Sequence, residues 1–128
     1  MTNLNIAERR KDFITILDLQ GNIRLGEGSV ELHEALRRLV ERGEKEVLLN
    51  LAGVSYIDSS GLGELVSGYT NIHKTGGELK LFHLSERIEE LMEMTKLLTI
   101  FDVYDNEAEA VLSFSSASEK SAYADSLI

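Results

Sequence analysis

Val47-Leu48-Leu49-Asn50-Leu51-Ala52-Gly53-Val54-Ser55-Tyr56-Ile57-Asp58-Ser59-Ser60-Gly61-Leu62-Gly63 contains the transition on which the fold turns. Its first five residues form a nearly continuous apolar run, which suits a strand covered on both faces in a parallel sheet. Ala52 to Ile57 reads as a loop leaving that strand. Asp58 stands where a helix cap belongs, because its carboxylate can accept from the free N–H groups of a first turn. Leu62, Leu65, Val66, Tyr69 and Ile72 then recur at three- and four-residue steps, one face of an amphipathic helix. Gly76-Gly77 ends it.

Outward from this stretch the same two periods alternate. Leu4 and Ile6 predict a short strand, Asp12 ends a charged turn, and Phe13 to Leu19 predicts a second strand. Turn residues cluster at Gly21-Asn22 and Gly26-Glu27-Gly28-Ser29. From about Ser29, the residues Leu32, Ala35, Leu36, Leu39 and Val40 mark a helix that Gly43 closes. Leu79, Leu81 and Phe82 predict a strand, and Ser85 can cap a helix carrying Ile88, Leu91 and Met92 inward. Val103-Tyr104 predicts a last short strand. Asn106 and Glu109 have capping-box spacing ahead of Ala110, Val111 and Phe114. The class is α/β with a mostly parallel or mixed sheet, and right-handed crossovers place the helices at 59–75 and 86–94 on one face. Residues 1–114 form the expected domain, and 115–128, rich in Ser and Ala, read as a flexible tail.

Composition narrows the function. The chain of 128 residues has no Cys, so disulfides, thiolate metal sites and Cys nucleophiles are excluded. A formal net charge of -9 argues against nucleic acid and anionic membrane as partners, and suits a protein partner with a basic face. Neither a signal peptide nor an apolar run of ~20 residues is present, so the expected location is the cytoplasm. His33, His73 and His83 have no partner at metal-ligand spacing and read as ordinary surface or core residues. Neither Ser59 nor Ser60 has the Gly two residues before it that a nucleophile elbow needs. Gly26-Glu27-Gly28 and Gly61-Leu62-Gly63 lack the rest of a phosphate-binding fingerprint. The expectation is no enzyme activity, no metal and no cofactor. Met92 and Met94 read as core filling, and Glu86, Glu89, Glu90 and Glu93 as a solvated helix face.

Ser59 and Ser60 fall on the first turn of the predicted site helix. An anion is stabilised there by about 0.3–1 kcal/mol, while Asp58 opposes it through like-charge repulsion. A phosphate on Ser59 would therefore leave the fold in place and act on a partner surface. At an interface, an unpaired charge of about -1.5 to -2 would weaken binding by about 2–5 kcal/mol. The same four residues, Asp58 to Gly61, also serve as a plain loop-to-helix junction that is never modified.

The run from Val47 to Gly63, with Gly76-Gly77 before Leu79-Lys80-Leu81 and with Thr95 to Asp102, resembles the signature of STAS domains, and specifically of bacterial anti-sigma factor antagonists. The resemblance covers most of residues 3–114. It implies an α/β STAS fold, a mixed sheet of four to five strands with four helices packed mainly on one face. It implies an anti-sigma factor with serine kinase activity as partner, and a phosphatase that resets the system. The unphosphorylated form would bind the anti-sigma factor and release the sigma factor. Phosphorylation of Ser59 would abolish that binding. Asp58, Ser60, Gly61, Leu62, Arg24 and Glu64 are the partner-binding residues the resemblance points to, in a monomer or weak dimer. Two positions depart from the family pattern. Arg24 stands where sporulation-type antagonists usually have Asp, and Glu64 occupies an often apolar position. The alternative is a constitutive STAS scaffold that is not regulated at Ser59.

Overall fold

The computed structural model describes residues 4–114; the expected tail at 115–128 lies outside the described residues. The chain opens with an antiparallel hairpin of β1 (Leu4–Lys11) and β2 (Ile14–Ile23). Asp12 turns it with φ of 56°, a left-handed conformation that a short polar side chain tolerates. There follow α1 (Glu27–Glu41), β3 (Glu46–Ile57), α2 (Ser59–Lys74), β4 (Glu78–Phe82), α3 (Glu86–Met94), a 3-10 turn (Leu97–Thr99) and β5 (Val103–Tyr104). A helix over 107–114, α4, ends the described chain. The five strands lie in sequence order, β1-β2-β3-β4-β5, with every pair after the hairpin parallel. The sheet is mixed and the class is α/β, as the sequence predicts.

Three segments differ from the sequence reading. Glu8-Arg9-Arg10-Lys11 is not a turn but the second half of β1. Charged side chains suit an edge strand, where they discourage pairing with another chain. Gly21-Asn22 lies inside β2, and residues 52–57 are the second half of β3 rather than a loop. These two halves pair with each other, Gly21 beside Val54 and Ile23 beside Ile57, across register shifts between Asp18 and Gln20 and between Gly21 and Asn22. The extra length carries both strand ends to the start of α2.

The two faces of the sheet are covered unequally. On one, Leu17, Leu19, Leu49, Leu51, Leu79 and Leu81 pack beneath α1, α2 and α3 through Leu32, Leu36, Leu65, Ile72, Ile88 and Met92. On the other, Ile14, Ile16, Leu48 and Phe82 are covered by Ala110, Val111 and Phe114 of α4. Helices therefore pack mainly on one face. Lys80 points into the second face and is only 5% exposed. Its Nζ donates to Ser113 Oγ at 3.0 Å and lies 4.6 Å from the centre of the Phe114 ring. A buried cation needs such partners, because an unsatisfied one is strongly disfavoured.

The caps follow the sequence. The Ile88 N–H donates to Ser85 Oγ at 3.2 Å, and the Glu109 N–H to Asn106 Oδ1 at 2.9 Å. Met94 does not follow it. Met92 is buried, but Met94 is 79% exposed, since two residues past Met92 it lies about 200° round α3, on the face turned away from the core.

Candidate functional site

The site forms where β2 and β3 end side by side. Ile23 and Ile57 are paired, and the chain enters α1 at Glu27 and α2 at Ser59, a short step past each. Asp58 joins the two exits. Its N–H donates to the Ile23 carbonyl oxygen at 3.2 Å. Its Oδ1 accepts the Gly61 N–H at 3.0 Å, which caps α2, and its Oδ2 accepts the Leu25 N–H at 2.9 Å, which holds the loop ahead of α1. These backbone donors, Leu25 foremost and then Gly61, keep the Asp58 carboxyl below the usual carboxylate range, with the positive charge of Arg24 adding to them. Asp58 is thus an anion with both oxygens already engaged.

Around this frame the predicted residues take different positions. Ser59 is exposed on the first turn of α2, and Ser60 is half-buried. Gly61 is buried. A Cβ there would lie on the Ile23 carbonyl oxygen and 2.8 Å from Ile23 Cγ2, so only glycine allows α2 to start this close to β2. Leu62 is 7% exposed and closes the floor of a surface groove. Arg24 is exposed, with its guanidinium carbon 4.8 Å from the centre of the Tyr56 ring. Arg24, Asp58 and Ser59 therefore share one end of the molecule. Glu64 is turned away toward α1, where its Oε1 meets His33 Nδ1 at 2.9 Å.

The groove, about 500 Å³, runs from the start of α2 to α3, with Tyr56, Ser59, Leu62, Arg87, Leu91 and Met94 among its walls. Sequence reading did not single out Tyr56, Arg87, Leu91 or Met94 as site residues. The available signal was spacing: Arg87, Leu91 and Met94 recur at steps of four and three, one stripe of α3. Tyr and Met with Arg are side chains enriched at protein interfaces. Among the described residues no group of three or more His, Asp or Glu is placed to hold a metal ion, and no helix is long and apolar enough to cross a membrane.

A mixed sheet with this strand order, and an Asp-capped serine helix at its end, define a class, and the comparisons agree on it. The STAS domain family matches residues 5–110, and the chain belongs to that family. It is 36% identical over 101 residues to the anti-sigma-B factor antagonist of Bacillus subtilis, covering 79% of this chain and 91% of that one. It is 29% identical over 112 residues to the anti-sigma F factor antagonist of Paenibacillus polymyxa, covering 85% of this chain and 93% of that one. Among solved structures, an anti-sigma factor antagonist from Mycobacterium paratuberculosis shares the fold with a TM-score of 0.78 at 18% identity, over 86% of this chain and 92% of that chain.

Proposed function

We propose that this protein is an anti-sigma factor antagonist switched by phosphorylation of Ser59. In its unmodified form the surface around Ser59 binds an anti-sigma factor with serine kinase activity, and the sigma factor is released. The kinase then ends the interaction. Ser59 Oγ attacks the γ-phosphorus of ATP, the bond to the ADP oxygen breaks, and the hydroxyl proton leaves to a base of the kinase. A phosphatase hydrolyses the ester and returns the free hydroxyl. The chain itself supplies the acceptor and the docking surface, with no catalytic group of its own.

One observation carries the reading. Ser59 is exposed directly after a carboxylate that has both oxygens committed to backbone N–H groups. A phosphate on Ser59 would add charge to the surface and leave the frame that holds β2, α1 and α2 intact. The relatives named as antagonists support the choice of partner. Asp58, Ser60, Gly61 and Leu62 shape that surface, Arg24 borders it, and Glu64 serves it indirectly by joining α2 to α1.

The test uses the anti-sigma factor of the same organism. Ser59→Ala should bind it as wild type does and accept no phosphate from ATP. Ser59→Asp or the phosphorylated protein should bind at least about 30-fold more weakly, the equivalent of about 2 kcal/mol. Equal binding by all forms would instead favour a constitutive scaffold.

A further inference from the structure

We propose that Arg24 is this chain's own receiver for a phosphate on Ser59, leaving the Tyr56 ring to pair with it. The inference rests on Ser59 being the modified residue and adds how the modified form is built. Three observations support it. The first is position. Arg24 lies between Ile23, whose carbonyl oxygen accepts the Asp58 N–H, and Leu25, whose N–H donates to Asp58 Oδ2. Its backbone is thereby fastened on both sides to the residue that precedes Ser59.

The second is availability. Arg9, Arg10, Arg37 and Arg42 each meet a carboxylate, whereas among the described residues none lies within ion-pair distance of Arg24. Asp58 is near, but its oxygens are taken by Leu25 and Gly61. What holds the guanidinium is the face of Tyr56 at 4.8 Å. Such a contact at an exposed site is weak beside a charge-assisted, two-pronged pair with a phosphate.

The third is need. A phosphate on Ser59 would sit beside the Asp58 carboxylate, and like charges repel. The dipole of α2 relieves part of that, but Asp58 already engages the Gly61 and Leu62 N–H groups, so a cation relieves more. Arg87, across the groove, is the competing cation, but it is carried by α3 and not by the loop tied to Asp58. The consequence reaches beyond charge. Arg and Tyr are among the side chains enriched at interface hot spots, and the phosphate would withdraw one and uncover the other. The modified surface is a rearranged one, tied more firmly between the β2–α1 loop and α2.

The test needs neither kinase nor partner. Phosphoserine is installed at position 59 of the full chain during translation, and its phosphate is titrated by 31P NMR in wild type, Arg24→Gln, Arg24→Lys and Arg87→Gln backgrounds. The second ionisation should fall about half a pH unit lower in wild type than in Arg24→Gln. Arg24→Lys should lie between them, and Arg87→Gln should match wild type. The ring protons of Tyr56 should shift on phosphorylation when Arg24 is present and stay put in Arg24→Gln. Equal midpoints in wild type and Arg24→Gln would overturn the assignment, as would a shift that disappears with Arg87→Gln instead. Should the native kinase never modify Ser59, the proposed function fails while this measurement still stands.

Discussion

The first turns of α1 and α2 are packed alike and finished differently. Each rests a glycine on the end of β2: a Cβ on Gly28 would come 2.5 Å from the Asn22 carbonyl oxygen, and one on Gly61 would lie on that of Ile23. Each also carries an early serine. Ser29 is buried and its hydroxyl donates to the Gly26 carbonyl oxygen at 3.2 Å, whereas Ser59 is exposed. No side chain caps α1, which follows Gly26 at φ 103° and ψ -132°; α2 follows Asp58 in an extended conformation. Asp58 serves both helices, its own through Oδ1 and its neighbour's approach through Oδ2. The contrast shows what makes a helix start into a modification site. Close packing on a strand end is common to both, and the difference is a cap placed outside the helix that leaves the next hydroxyl in water.

The contrast can be broken most severely at Gly61. Gly61→Ala should destabilise the fold by about 3 kcal/mol, the upper end for overpacking, because the clash is with backbone. A denaturant midpoint close to wild type would show that α2 can move off β2.

Removing the shared cap comes next. Asp58→Ala should lower stability by about 1–2 kcal/mol and loosen the start of α1 as well as α2, visible as faster amide exchange in both first turns. The loss depends on pH. Since the folded carboxyl is held below its usual range, its contribution is complete above about pH 4 and fades as pH falls through the lowered value. The gap between wild type and Asp58→Ala should therefore narrow in acid. A gap that widened instead would contradict the bonding described for this carboxylate.

Giving α1 a cap of its own should have the opposite effect to what residue preferences suggest. Asp is a favoured cap, yet Gly26→Asp should cost about 1 kcal/mol, because backbone strain at Gly26 exceeds the gain. Calorimetry showing a higher melting temperature would refute this. The smallest change is Gly63→Ala, whose new methyl meets nothing within 4 Å. It should stabilise by about 0.5–1 kcal/mol through helix propensity alone, and a loss of stability would mean that this part of α2 is not helical in solution.

The helices were legible because their apolar residues recur every three or four positions and their ends carry Asp58, Ser85, Asn106 and Gly43. Strand length was less so. In the second half of β3, Ala52, Ser55 and Tyr56 are exposed because the sheet's other face is uncovered there, so the expected apolar run stops before the strand does. Gly21 looks like punctuation, but it sits in β2 beside a register shift. At the site, Asp58 was readable as a cap of its own helix. Its bond to Leu25 was not, since a backbone donor 33 positions away has no signature in residue type. The groove was only half legible, because the stripe of Arg87, Leu91 and Met94 is in the sequence while the α2 start it faces is brought there by the fold.

The cover supplied by α4 has a meaning for the chain as it is made. While α1, α2 and α3 close over one face as they emerge, Ile14, Ile16, Leu48 and Phe82 must wait for Val111 and Phe114. At about 5–20 residues per second, Ile14 stays without that lid for roughly 5–20 s. During that interval the nascent domain carries an apolar stripe beside a lysine, Lys80, that has not yet met Ser113 or Phe114. That positive charge in the open stripe disfavours pairing with another unfinished sheet until α4 closes over it.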